Sequence, residues 1–224
     1  MRGEPGKVAE RPPSAPSRYD PFCMREDHPG LVRRATSGDA LAIGDLMQLH
    51  LPGLLAFVRA NAGHRLRARE GTYDLVQSAC REVLEDLSAC SSLDENGFRR
   101  WLYLAAERKI LDRARYHARQ KRGAGREACT LSEIEVQALS QGYGDLVSPS
   151  RVAIAHEEIE RLEAALARLS EPDRRVIVLS RIVGLPHAEL ARGMGTSEVN
   201  SRGALRRALA RLSIELGAGG SARG

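Results

Sequence analysis

The stretch from Ser170 to Leu216 constrains the fold more than any other, because its punctuation leaves room only for three helices in succession. Ser170 and Asp173 stand three apart at the head of an apolar run, the capping-box spacing, and Pro172 sits in the first turn, where a missing N–H is harmless. Val176, Ile177, Leu179, Ile182 and Val183 recur at helical spacing, and Gly184 supplies the left-handed stop. Pro186 opens a short second helix that carries Ala188, Leu190 and Ala191 inward and runs to Met194, after which Gly195 makes the turn and Ser197 caps the third helix. That helix, about Glu198 to Leu216, buries Leu205, Leu209, Leu212 and Leu216, while its front is polar: Asn200, Ser201 and Arg202 at the tip, Arg206 and Arg207 a turn later. From Arg174 to Arg211 there are eight Arg against two Glu, so the tip suits base edges and phosphates in a major groove about 12 Å wide. A solvated surface helix is the plainer reading; it leaves the ordered coincidence of helix, Gly turn, short helix, Gly turn and basic helix without a reason.

At 224 residues the chain accommodates two small domains more easily than one large one. Hydrophobic residues make up 42% and aromatics 4%, with Ala and Leu dominant, so an all-α protein packed through small side chains is expected. The net charge of +5 is modest, and its clustering matters more than its sum. Cys23, Cys80, Cys90 and Cys129 contain no Cys-x-x-Cys pair and no His at ligand spacing, which fits a reduced, cytoplasmic protein; Cys80 and Cys90 read as structural thiols or as a redox pair. His28, His50, His64, His117, His156 and His187 are scattered, with no nucleophile beside a base. No catalytic residue, metal site or cofactor is expected. No apolar run approaches the ~18 residues of a membrane span, and the N-terminus lacks the features of a signal peptide.

Residues 1–28 hold five of the ten prolines and read as a disordered leader. An N-terminal domain follows over 29–122. Leu31, Val32 and Ala35 start it; Asp39 caps a helix carrying Leu41, Ile43, Leu46, Met47 and Leu49; Pro52 marks a break or kink before Leu54, Leu55, Phe57 and Val58. His64 to Gly71 is a basic, polar connection. The next helix, about Tyr73 to Leu87, differs in charge, since Glu70 to Glu95 holds seven acids and one Arg. A segment of opposite sign in a basic protein suggests a protein partner, because phosphate would repel it. Its inner face is Leu75, Val76, Ala79, Val83, Leu84 and Leu87, with Asp74, Gln77 and Glu85 outside.

A loop from Ser88 to Gly97 leads into a long helix, from near Asp94 past Arg119, with Phe98, Trp101, Leu102, Leu104, Ala105 and Leu111 as its stripe. Ser91, Ser92, Asp94 and Asn96 are short side chains able to donate to and accept from a base edge, and Arg99 and Arg100 follow them. Between Arg108 and Arg126 eight Lys or Arg, including Lys109, Arg113, Arg115 and Arg119, face a single acid, Asp112, so this end suits a phosphate backbone. Residues 123–149 form a linker in which Leu131, Ile134, Val136 and Leu139 make a short helix or fill a groove of a partner. Ser150 caps the second domain, 150–216, whose first helix packs Ile154, Ile159, Leu162, Leu166 and Leu169 behind the helix-turn-helix, and 217–224 is a tail.

Gly184-Leu185-Pro186-His187-Ala188-Glu189-Leu190-Ala191, Gly195-Thr196-Ser197-Glu198 and Leu205-Arg206-Arg207-Ala208-Leu209-Ala210-Arg211-Leu212 resemble the DNA-reading domain of extracytoplasmic-function (ECF) sigma factors. Asp74-Leu75-Val76-Gln77, Phe98-Arg99-Arg100-Trp101-Leu102 and Asp112-Arg113-Ala114-Arg115 are similar to the first domain of the same family, in order, so the resemblance covers about Leu31 to Leu216. It implies a promoter-specificity subunit of bacterial RNA polymerase, with no catalysis of its own. Asp74, Leu75, Gln77 and Glu85 would dock on the clamp coiled coil of the polymerase largest subunit. Ser91, Ser92, Asp94, Asn96, Arg99, Arg100, Arg108, Lys109, Arg113, Arg115 and Arg119 would hold a melted promoter element, and Ser197, Asn200, Ser201, Arg202, Arg206 and Arg207 would read an upstream one. An anti-sigma factor often occludes such domains. The chain departs from the family at Arg108, Ser201, Gly203 and Ala204. A stand-alone helix-turn-helix regulator that binds DNA as a dimer is the alternative, and it leaves the acidic helix unexplained.

Overall fold

A computed structural model describes residues 30–119, 131–147 and 152–220. The expected leader, the basic residues beyond Arg119, the Ser150 cap, Cys23 and Cys129 lie outside the described residues. Every regular element among those described is helical. Helix α1 (Leu31–Thr36) precedes α2 (Ala40–Asn61), where Asp39 accepts from the amides of Leu41 and Ala42. A short α3 (His64–Arg67), α4 (Thr72–Glu85), a 3-10 turn (Leu87–Cys90) and α5 (Glu95–Arg119) complete a first body. Helix α6 (Glu133–Tyr143) comes next, opened by a reciprocal capping box between Ser132 and Glu135. The second body consists of α7 (Val152–Arg168), α8 (Glu171–Ile177) running into one π-helical stretch (Val178–Ile182), α9 (His187–Met194) and α10 (Glu198–Gly220).

Helix α2 is the hub, packing on α1, α4, α5, α6, α7 and the π stretch. It is also long and apolar enough to cross a membrane by length and composition, with a mean hydropathy of 1.5 over its best window, which the sequence reading did not anticipate; half of that window is buried in the core. Pro52 does not end it. The ring removes one helical hydrogen bond, at a cost of about 3 kcal/mol in an isolated helix, but neighbouring elements press on both sides of this point. A Cβ on Gly142 of α6 would overlap the Pro52 carbonyl, and one on Gly53 would overlap the Tyr103 hydroxyl. Helix α6, its close approach visible only in three dimensions, packs on the Pro52 turn, and α2 runs unbroken from Ala40 to Asn61.

Facial assignments change on α2, where Leu41 is exposed, and on α4, α5 and α7. On α5 the buried residues are Phe98, Leu102, Tyr103, Ala105, Ala106 and Ile110, whereas Leu104 and Leu111 are exposed and Trp101 is half-buried against Phe98. On α4, Leu84 is exposed, and on α7 Ile154 is exposed while Ala155 is buried. The expected loop from Ser88 to Gly97 contracts to the 3-10 turn plus Ser91–Asp94, because Asp94 accepts from the Gly97 amide at 2.7 Å and starts α5 at Glu95. Cys80 and Cys90 are free thiols, half-buried and buried.

His50 on α2 is buried against the Phe98 ring at 5.6 Å, and its Nε2 has no hydrogen-bond partner. Burial, with the Arg99 charge adding, lowers its imidazole from 6.5 to about 4. The unfolded chain therefore takes up a proton at a pH where the folded chain refuses it, so stability is lost as pH falls from 6.5 toward 4, by roughly 3 kcal/mol across the window. Urea melts should show this loss in the wild type, and His50→Leu should flatten the slope between those pH values.

Candidate nucleic-acid interface

Helices α8 to α10 form the helix-turn-helix. Ser170 Oγ accepts from the Asp173 amide at 3.4 Å and donates to its carboxylate at 2.7 Å; Arg211 of α10 bonds the same carboxylate, tying the last helix to the first. Gly184 (φ +74) and Gly195 (φ +61) take the left-handed conformation expected of them. Ser197 caps α10 by accepting from the Asn200 amide at 3.2 Å. The buried stripe of α10 is Ser201, Leu205, Ala208 and Leu212, one turn earlier than the leucines alone suggest, while Leu209 and Leu216 are partly buried. Ala188 on α9, expected inside, is exposed.

This stripe corrects one DNA-reading assignment. Ser201 is fully buried, and its hydroxyl meets His187 Nδ1 at 3.0 Å, so it joins α9 to α10. The outward face is Val199, Asn200, Arg202, Gly203, Arg206 and Arg207, which line a shallow concavity. Asn200 Nδ2 donates to Thr196 Oγ1 at 3.2 Å, and Arg202 pairs with Glu198 at 3.0 Å, each holding a tip side chain one turn from its helix start. A Cβ on Gly203 would meet only the end of the Arg207 side chain at 3.3 Å, so packing does not require a glycine there.

In the first body Asp74, Gln77 and Glu85 are exposed on α4. Leu75, named as a docking residue, is 1% exposed and belongs to the core. Other acids of this segment are paired within the chain: Glu82 bonds Lys109 at 2.6 Å, Glu70 holds Arg113 at 2.7 Å and His117 at 2.5 Å, and Glu95 pairs with Arg99 at 3.6 Å. Asp74, Glu85 and Asp86 are left as the outward carboxylates of the α4 end.

Ser91, Ser92 and Asp94 are exposed beside the half-buried Asn96, which lies in the first turn of α5. The cations expected near them already have partners in the second body. Arg99 Nη1 donates to the Gly184 carbonyl at 3.4 Å, Arg100 pairs with Glu189 at 3.6 Å, and Glu107 pairs with Arg175 at 3.2 Å. Arg108 and Arg119 are exposed, and Arg115 pairs with Asp112 at 3.4 Å on the same face.

Sequence reasoning missed the cluster that joins the bodies. Glu163 on α7 is 7% exposed and accepts from Arg59 Nε at 2.5 Å and Nη2 at 2.8 Å, from Arg67 Nη1 at 2.6 Å and from the Tyr143 hydroxyl at 2.9 Å. Burial alone would raise the Glu163 carboxyl, but the hydrogen bonds and charges of Arg59 and Arg67 outweigh it and hold the group below its ordinary value. Burial, and then the Glu163 charge, pushes the Tyr143 phenol well up, so it remains a donor. The available signal was position: Glu163 lies among Ile159, Leu162 and Leu166, on the apolar face of its helix.

The geometry is that of a helical DNA-reading protein whose helix-turn-helix body is docked on a second helical body with an acidic face. The family described as Sigma-70, region 4 matches residues 159–212, from within α7 to Leu212. The ECF RNA polymerase sigma factor ShbA of Streptomyces griseus is 30% identical over 195 residues, covering 84% of this chain and 97% of its own. The sigma factor NccH of Alcaligenes xylosoxydans is 28% identical over 192 residues, covering 83% and 92%. Among solved structures, CnrH in complex with the cytosolic domain of CnrY superposes with a TM-score of 0.53 at 26% identity, covering 84% of this chain and 96% of that one. The chain belongs to the ECF sigma factors of RNA polymerase. It is a sigma subunit, which joins core polymerase and directs initiation at promoters, rather than a stand-alone regulator.

The Ser201 contact separates fold from readout. Ser201→Ala should cost about 1 kcal/mol of stability by orphaning His187 and leave the preferred upstream sequence unchanged, whereas Arg202→Ala should change that preference without the stability loss; thermal melts and a binding-site selection check the pair.

Proposed function

We propose a division of labour among three surfaces. The outward face of α4, with Asp74, Gln77 and Glu85, docks on the clamp coiled coil of the polymerase largest subunit. The turn Ser91–Asn96 and the cations of α5, Arg99, Arg100, Arg108, Lys109, Arg113, Arg115 and Arg119, hold the melted element. The tip of α10, with Ser197, Asn200, Arg202, Arg206 and Arg207, reads the upstream element. The observation that carries this reading is the pairing of a basic, solvent-facing helix tip on a helix-turn-helix with an acidic outward face on the other body: the first suits phosphate, the second a protein.

On this reading 29–122 and 150–216 act as separate domains, with 123–149 between them and 1–28 and 217–224 as flanking segments. The protein performs no catalysis of its own and works in the cytoplasm beside core polymerase. An anti-sigma factor is the expected regulator. CnrH, whose structure was solved with the cytosolic domain of CnrY, supports a protein partner of this kind.

The direct test is whether the purified chain makes core polymerase start at a defined site. Asp74→Lys should weaken core binding while far-UV circular dichroism stays unchanged; co-purification at wild-type yield would remove α4 from the interface. At the other surface, Arg206→Ala should weaken binding to an upstream promoter fragment evenly across sequences and lower the salt slope by about one. An unchanged slope would make that side chain a bystander.

A further inference from the structure

We propose that the hollow on the outward face of α10 is a thymine-reading notch, in which Val199 packs on the C5-methyl group of one thymine of the upstream element, beside the bare backbone of Gly203. The inference deepens the assignment of the α10 tip to that element and rests on it.

Val199 is left over by the fold. Its side chain is 73% exposed in the first turn of α10 and stands outside the core to which Leu205, Ala208 and Leu212 of the same helix belong. A β-branched residue gains nothing there in helix propensity. A lone exposed valine is ordinary on a protein surface, but this one has a particular neighbour. Gly203 stands four residues on, in the next turn of the same face. It lies well inside a helix of 23 residues, where glycine is the poorest helix former after proline. Its φ is not in the left-handed region, and a Cβ there would meet only the end of the Arg207 side chain at 3.3 Å. Neither backbone geometry nor packing therefore asks for glycine. Without a side chain at 203, the ordinarily convex surface of the helix becomes a hollow, bounded by Val199, Asn200, Arg202, Arg206 and Arg207.

The chemistry of the hollow fits one base of the four. An isopropyl group neither donates nor accepts, so Val199 can discriminate only by apolar contact, and the thymine methyl is the one apolar group that a base edge offers in the major groove. Beside that methyl thymine presents O4, an acceptor. Arg207, whose Nη1 leans over Gly203, supplies a donor that suits O4 and would meet an amino group on cytosine. Asn200 and Arg202 are held back to the preceding turn by Thr196 and Glu198. Three arginines around an apolar notch match a methyl group set between two phosphate backbones; an apolar protein surface would gain nothing from them.

Holoenzyme assembled from the full chain and core polymerase is first offered duplexes randomised over the upstream element. The selected site is then rebuilt with each thymine replaced in turn by deoxyuridine, which deletes the methyl and keeps every hydrogen-bonding group. At one thymine the wild type should lose about fourfold in affinity, the worth of one methyl group taken out of water. Val199→Ala should bind the thymine duplex more weakly by a similar factor and be indifferent to deoxyuridine at that position, with thermal melting unchanged. Gly203→Leu, which fills the hollow with a good helix former, should abolish the same response, and Arg202→Ala should retain it. A wild type that responds at no thymine overturns the notch, as does a Val199→Ala holoenzyme that responds as fully as wild type. If the response is absent while Arg206→Ala still lowers the salt slope and Arg202→Ala still shifts the preferred sequence, α10 reads the element without a methyl contact and only the notch falls. If neither arginine variant changes binding and selection returns no preferred sequence, the assignment of the α10 tip falls and the notch with it.

Discussion

The arrangement of the whole molecule turns on a single buried carboxylate. Placing Glu163 in a core costs several kcal/mol of lost hydration, and only near-complete hydrogen bonding offsets it. Four bonds from Arg59, Arg67 and Tyr143 meet that demand, and each donor comes with its own helix. Apolar area around it, from Leu139, Ile159, Leu162 and Leu166, supplies the driving force but not the register, since Leu, Ile and Ala surfaces slide past one another at small cost. A shift of α7 by one turn would leave the same area buried and the carboxylate unpaired. The polar cluster selects among packings that hydrophobic burial treats as nearly equal.

That division explains what the sequence made legible. Helix starts and stops depend on neighbours within four residues, and there the reading held: Asp39, Ser170 and Ser197 cap as expected, and Gly184 and Gly195 take positive φ. Elsewhere a distant element decided. Pro52 was expected to break or kink α2, and the helix runs on through it where α6 closes on it; the linker was expected to hold a short helix or fill a partner's groove, and it does hold a short helix, which packs on α2 of this chain. Facial errors have a common cause. Large apolar residues were assigned inward, yet Leu104, Leu111 and Leu84 face water while Ala106, Ala208 and Ser201 fill the contacts, because closely spaced helices leave room only for small side chains. Leu75 was carried into the docking surface by resemblance although its own periodicity placed it in the core.

Charge shows the same limit at the candidate site. Counting along the chain separates an acidic segment, Glu70 to Glu95, from a basic one beginning at Arg108, and suggests two surfaces of opposite sign. Folding pairs much of the first with the second: Glu70 meets Arg113 and His117, and Glu82 meets Lys109. What remains for partners is a residue of the sum, Asp74, Glu85 and Asp86 on one side and Arg108 and Arg119 on the other. The remainder is smaller than the count and better placed, since it is confined to outward faces.

On the proposed reading, binding of DNA to such a surface is an exchange more than an addition. Where a phosphate displaces Glu70, Glu82 or Glu189 from a cation, the cation was neutralised beforehand and the freed carboxylate enters water beside the duplex. Counterion release measures net positive charge delivered to the phosphates, so an exchanged pair adds less to the salt dependence than an unpaired arginine does. The same exchange favours the site chemically, because these pairs are partly exposed and worth about 1 kcal/mol or less each, while keeping the cations oriented before DNA arrives. Preoriented, weakly committed cations are thus a by-product of the internal neutralisation that lets a strongly basic helix pack against an acidic one at all.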